Sequence, residues 1–173
     1  MTNKENIFEI YTDGSCNTKL KIGAWAAIIL FDDKKIVLSG KEKNTRNNRM
    51  ELLSVIDAIK FLKNKFEKIE LIKIYSDSQY VVRICERKER LKSNNFLTKK
   101  NEDIRNVDLV KELIVIIESM KVDFIKVKAH QKKSDKKNYN RDVDMLSRKI
   151  VREEVRKSKS TVGKIQNVHN AKL

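Results

Sequence analysis

Three strand-like runs fill the first 40 residues before any helical periodicity begins, and that order commits the chain to a sheet begun as a meander. Residues 7–12 (Ile-Phe-Glu-Ile-Tyr-Thr) are β-branched and aromatic, and Asp13-Gly14 behind them reads as a strand stop. Residues 23–31 carry the run Ala-Trp-Ala-Ala-Ile-Ile-Leu-Phe, which predicts a strand buried on both faces. Asp32-Asp33 reads as a turn and residues 35–40 as a third strand, the three forming an antiparallel meander. The period then changes. Leu52, Val55, Ile56, Ile59 and Leu62 fall on one face of an amphipathic helix over residues 48–62, with Asn47 or Asn48 as its N-cap. Residues 70–76 predict a fourth strand, followed by a short helix from near Ser78. Residues 107–120 predict a second strong helix, 122–127 a fifth strand, 132–140 a charged loop and 142–156 a last helix. Strands first, then helices alternating with strands, is an α/β pattern in a mixed sheet.

No proline or Gly/Ser-rich linker divides the 173 residues, so one domain is expected over residues 1–156, with residues 157–173 a frayed or disordered basic tail. Lys and Arg outnumber Asp and Glu by 39 to 24, an excess that favours polyanionic partners but carries no chemistry of its own. Cys16 and Cys85 form no CxxC pair, which argues against a disulfide framework or structural zinc and for reduced thiols in the cytoplasm. The N-terminus has no signal-peptide apolar region, and the longest apolar run, residues 24–31, is too short to span a bilayer. A monomer without membrane contact is the default.

The carboxylates carry the chemistry. Two strands end alike, Ile10-Tyr11-Thr12-Asp13 and Ile74-Tyr75-Ser76-Asp77, and in open α/β sheets such strand ends face the ligand crevice. Each Asp alone would more often start a turn or cap a helix. Glu51 shares a helical stripe with Val55, Ala58 and Leu62, so its carboxylate points inward, where burial demands a compensating cation or donor. Its place in the first turn offers a competing role through the helix dipole. Asp144 is a fourth candidate and Asp142 its rival; periodicity leaves both open. Four converging acids would repel one another without cations, and all-oxygen ligands suit magnesium or manganese. A pair of such ions is equipped to cut a phosphodiester.

Four segments now combine: Asp13-Gly14-Ser15-Cys16, Asn47-Asn48-Arg49-Met50-Glu51-Leu52, Asp77-Ser78-Gln79-Tyr80-Val81, and Asn140-Arg141-Asp142-Val143-Asp144-Met145-Leu146-Ser147. In order and spacing they resemble the signature segments of the type 1 ribonuclease H family, across roughly residues 7–156. The resemblance implies the ribonuclease H-like α/β fold, a five-stranded mixed sheet flanked by helices. It also implies cleavage of the RNA strand of RNA–DNA hybrids with two Mg2+ ions, Mn2+ being the alternative metal. Matched residue by residue, it makes Asp13, Glu51, Asp77 and Asp144 the metal ligands, choosing Asp144 over Asp142. His130 corresponds to a mobile histidine that assists proton transfer or product release. Asn47, Asn48 and Gln79, with main-chain groups near Gly14 and Cys16, correspond to contacts in the hybrid's minor groove, where the 2′-hydroxyls lie.

Residues 86–105 resemble the family's basic handle, with Arg87, Lys88, Arg90, Lys92, Lys99 and Lys100 placed to grip DNA phosphates. The tryptophans common there are missing, since Trp25 is the only one, and Phe96 is the nearest substitute. Arg46 stands where many members have a phosphate-pocket Thr, and its guanidinium can bind phosphate as a fork. The rival readings are a DNA-cutting nuclease of the same fold and a catalytically inactive nucleic-acid-binding module. The full set of acids argues against the second, because an acidic cluster facing phosphates would only weaken binding.

Overall fold

The computed structural model describes residues 6–128 and 137–170, with side chains through Ser160. Five strands, β1 (Ile7–Asn17), β2 (Ile22–Phe31), β3 (Lys34–Lys43), β4 (Leu71–Ser76) and β5 (Val122–Lys126), form one sheet in the order β3-β2-β1-β4-β5. The expected meander is present: β1–β2 and β2–β3 are antiparallel, whereas β1–β4 and β4–β5 are parallel. The helices are α1 (Asn47–Lys65), α2 (Gln79–Glu86), α3 (Lys88–Ser93), α4 (Val107–Ser119) and α5 (Tyr139–Asn170).

Strand alternation separates two packed layers. Phe8 and Ile10 of β1, Trp25, Ala27 and Ile29 of β2 and Ile72 and Ile74 of β4 face one side, where α1, α2 and α4 bury the main core. Leu52, Val55, Ile56, Ile59 and Leu62 of α1 are all fully buried there, as their spacing predicts. On the other side α5 covers Ala26 and Ile28 with Val143 and Leu146. β2 is thus buried on both faces along residues 22–29, as its continuous apolar run requires.

Three boundaries differ from expectation. β1 does not stop at Asp13-Gly14 but continues to Asn17, because pairing with β2 carries on through Asp13–Ala26 and Gly14–Trp25. The N-cap of α1 is Arg46, extended at φ −142° and without a side-chain cap; Asn47 and Asn48 are already inside the helix. Glu51 therefore lies beyond the first turn, where the dipole argument has little force. Finally, α5 starts at Tyr139 and extends past residue 156 to Asn170. No proline interrupts it, and the Lys157–Glu154 pair at 2.9 Å continues its side-chain pairing beyond that boundary.

Candidate active site

The parallel β1–β4 register ends at the pair Thr12–Ser76. The next residue on each strand is an aspartate, so Asp13 and Asp77 sit side by side where β4 leaves the sheet. By alternation both belong to the face covered by α5. Within α5, Asp142 is exposed, whereas Asp144 is half-buried and close enough to act on Asp13 electrostatically. Of the two rivals, the geometry brings only Asp144 to Asp13. Arg148 pairs with Asp144 at 2.8 Å.

Glu51 arrives from the opposite layer. A Cβ on Gly14 would meet the backbone nitrogen of Glu51, and it would lie 2.6 Å from the carbonyl carbon of Met50. Glycine at 14 is thus what lets α1 close on β1 and bring Glu51 over the strand. The Glu51 carboxylate accepts a short hydrogen bond from the Ser78 hydroxyl. Ser78 also caps α2 by accepting from the Val81 N–H at 3.3 Å. Asp13 is held in a comparable way: Ser147, fully buried on α5, donates to its Oδ2 at 2.5 Å.

These surroundings disfavour ionisation. Burial, reinforced by the charges of Asp77, Asp144 and Glu51, lifts Asp13 from its ordinary 3.8 to about 7, against the pull of the Ser147 hydrogen bond. Burial likewise raises Glu51, opposed by the Ser78 hydrogen bond and aided by Asp77. Among the described residues no three or more His, Cys, Asp or Glu side chains are grouped tightly enough to hold a metal ion as they stand. The donor set is nevertheless all oxygen, and its mutual repulsion is the kind a hard divalent cation relieves. On that chemistry the residues fit magnesium or manganese.

The remaining expected site residues fall into three places. Arg46, Asn47 and Asn48 are exposed and line a cavity of about 680 Å3 with Lys21, Thr45 and Arg105. Cys16 sits beside it, its thiol donating to the Thr45 carbonyl at 3.4 Å. Gln79, exposed at the start of α2, lines a second cavity with Asp77 and Lys128. A third cavity, about 720 Å3, lies on the handle rather than over the acids. Arg87, Arg90 and Lys99 line it, together with Tyr80, Leu91 and Arg105, whereas Lys88, Lys92 and Lys100 do not. Lys92 is engaged at 2.7 Å by Glu118 of α4. Phe96 packs half-buried against the core beneath Lys111 Nζ, 5.2 Å from its ring centre, so it is no exposed counterpart of a handle tryptophan. His130 lies outside the described residues.

Sequence reasoning assigned no role to Ser147, Ser78 or Arg49. Ser147 stands at i+3 from Asp144 and Ser78 at the start of α2, signals that mark their location but not their carboxylate partners. Arg49 joins β3 to α4, pairing with Glu42 at 3.0 Å and Asp108 at 2.9 Å, and thereby steadies the start of α1 that carries Asn47 and Asn48.

The fold agrees with that of known relatives. The RNase H family profile matches residues 5–152. A ribonuclease H of Thermoanaerobacter sp. (strain X514) is 37% identical over 160 residues, covering 91% of this chain and 98% of its own. A ribonuclease H of Wolbachia pipientis wMel is 41% identical over 152 residues, covering 87% of this chain and 98% of its own. Among solved structures, LC9-RNase H1, a type 1 RNase H with the type 2 active-site motif, superposes with a TM-score of 0.67 at 20% identity. That match covers 87% of this chain and 74% of the other, and it concerns the fold. On the profile match and the extent of the sequence identity, the chain is an enzyme of the RNase H family.

Proposed function

We propose that this enzyme hydrolyses the RNA strand of RNA–DNA hybrids, using Asp13, Glu51, Asp77 and Asp144 as a carboxylate set for two Mg2+ ions, with Mn2+ able to replace them. The observation that carries the reading is spatial: Asp77 beside the end of β1, Asp144 on α5 and Glu51 on α1 all lie near the half-buried Asp13, which Ser147 of α5 holds by a hydrogen bond. Asp13 and Asp77 would be the central ligands and Glu51 and Asp144 the outer ones. Bound there, the ions would supply an activated water and neutralise the leaving oxygen.

The chain's own residues bind and orient. Ser147 and Ser78 each hold one oxygen of a carboxylate, fixing how Asp13 and Glu51 present the other. Asn47, Asn48 and Gln79, with main-chain groups near Gly14 and Cys16, would meet the 2′-hydroxyls in the minor groove, which is how RNA is told from DNA. Arg46 would hold a phosphate, and the cations of residues 86–105 the DNA strand. His130 would move a proton or help product leave. Water adds across the P–O3′ bond, so one fragment keeps a 3′-hydroxyl and the other a 5′-phosphate.

No helix among the described residues is long and apolar enough to cross a membrane. We assign the protein to the cytoplasm as a monomer, with the catalytic domain in residues 1–156 and residues 157–173 as an accessory tail. The test uses strand-labelled RNA/DNA, RNA/RNA and DNA/DNA duplexes with Mg2+, Mn2+ or EDTA. Metal-dependent cutting of the RNA strand in the hybrid alone is the expected result. Cutting of DNA/DNA would favour a DNA nuclease of this fold, and binding without cutting an inactive module.

A further inference from the structure

Ser147 is fully buried on the sheet-facing side of α5, and its hydroxyl has two acceptors within reach. One is Asp13 Oδ2 at 2.5 Å; the other is the carbonyl oxygen of Asp144, one turn earlier, at 3.1 Å. A serine hydroxyl carries a single proton and donates fully to one of them at a time. The Asp144 carbonyl alone would satisfy it, as happens for many helical serines. The contact with Asp13 is therefore not needed to satisfy Ser147, and what it changes is the acid.

We infer that Ser147 is a positioning residue: it fixes the Asp13 carboxylate for the incoming cation and docks the helix carrying Asp144 against it. This rests on the reading of Asp13 and Asp144 as metal ligands. The hydroxyl holds Oδ2 from the α5 side and leaves Oδ1 for the cation. A hydrogen bond to a carboxylate is among the stronger ones, sufficient to restrict the side chain's rotation. One contact thus links two acids from elements that lie 131 positions apart in the chain, the separation from Asp13 to Asp144. If a cation turns the Asp13 carboxylate, the hydroxyl can pass to the Asp144 carbonyl, so no buried donor is stranded. Ser78 stands in the same relation to Glu51, but it also caps α2, so replacing it would mix two effects. Ser147 gives the cleaner measurement.

The experiment compares the full chain with Ser147→Ala and Ser147→Thr by Mg2+ calorimetry, by unfolding in EDTA and by hybrid-cleavage kinetics. Loss of a hydrogen bond that orients a metal ligand typically weakens metal affinity by 10- to 100-fold, and about tenfold is expected for Ser147→Ala. The unfolding midpoint in EDTA should fall only slightly, because alanine's helix preference offsets part of the lost hydrogen bond, and the variant should remain folded under the conditions of the calorimetry. The KM for hybrid should stay unchanged while kcat falls at limiting Mg2+. Ser147→Thr should restore most of the affinity. Should the threonine methyl prevent folding, the alanine calorimetry decides alone. Wild-type Mg2+ affinity in Ser147→Ala, or a loss that merely tracks unfolding, would overturn the proposal. If the wild type cleaves no hybrid yet Ser147→Ala still weakens Mg2+ binding, the functional reading falls and the positioning role stands. A wild type that binds no Mg2+ removes both.

Discussion

Replacing Asp13 by Asn should stabilise the metal-free protein, and only at a pH where Asp13 would otherwise be charged. Asp13 is lifted from 3.8 to about 7 by burial and by three neighbouring acids. An acid whose folded pKa lies above its unfolded one binds more protons folded than unfolded between those two values. Its contribution to stability therefore falls as pH rises from about 4 to about 7, and the penalty is complete above that. About 3 pH units at ~1.4 kcal/mol each set an upper bound of ~4 kcal/mol. Relaxation and a high effective dielectric reduce it, so we expect ~2–4 kcal/mol at pH 8 and about zero at pH 4. The amide oxygen of Asn still accepts from Ser147, so the comparison isolates the charge. The assay is urea unfolding of both proteins in EDTA at pH 4, 6 and 8. Added Mg2+ should erode the advantage at pH 8, because a cation that binds only the folded wild type stabilises it. A gain equal at pH 4 and pH 8, or a variant less stable than wild type at pH 8, would refute the argument.

Other outcomes follow from the same geometry. Gly14→Ala forces a methyl group into the backbone of Met50 and Glu51. It should cost ~1–3 kcal/mol in chemical unfolding and lower kcat for hybrid cleavage more than KM. Leu62→Ala empties a fully buried position and should cost about 2–5 kcal/mol by the same assay. Among handle cations, Lys99→Ala should reduce the salt dependence of hybrid binding by about one phosphate contact. Lys92→Ala should change it less, because Glu118 already holds that amine. Arg49→Ala leaves Glu42 and Asp108 without their shared partner. At a half-exposed network this should cost only ~1 kcal/mol, while KM for hybrid rises as the start of α1 loosens.

Apolar periodicity was enough to locate the strands and the longer helices, since burial of β2 and of the α1 stripe leaves that arrangement few alternatives; α3, with no buried residue, carries no such signal. Local turn chemistry misled where tertiary pairing overrode it. Asp13-Gly14 looks like a stop, yet an antiparallel partner carries β1 four residues beyond Asp13 to Asn17. Asn47 and Asn48 are good caps by residue type, yet the chain turns into α1 one residue earlier, at Arg46. The acids were legible as candidates because Asp13 and Asp77 follow matching strands and Glu51 lies on a buried stripe. The choice between Asp142 and Asp144 was not legible from periodicity, because it depends on how α5 is rotated against β1. The Ser147–Asp13 and Ser78–Glu51 contacts were hidden for the same reason: each joins residues brought together only by the fold. The handle's shape was hidden as well. It is set by left-handed backbone at Asn95, Phe96 and Asn101, and packing holds Phe96 there at φ 60° despite the usual steric cost.

The most direct test of the account is single-turnover cleavage of a strand-labelled RNA–DNA hybrid by five variants: Asp13→Asn, Glu51→Gln, Asp77→Asn, Asp144→Asn and Asp142→Asn. The account predicts that the first four lose cleavage by orders of magnitude while still binding hybrid, and that Asp142→Asn, altered at an exposed position, cuts like the wild type. Cleavage that survives in Asp13→Asn or Asp144→Asn, or is lost in Asp142→Asn, would contradict it.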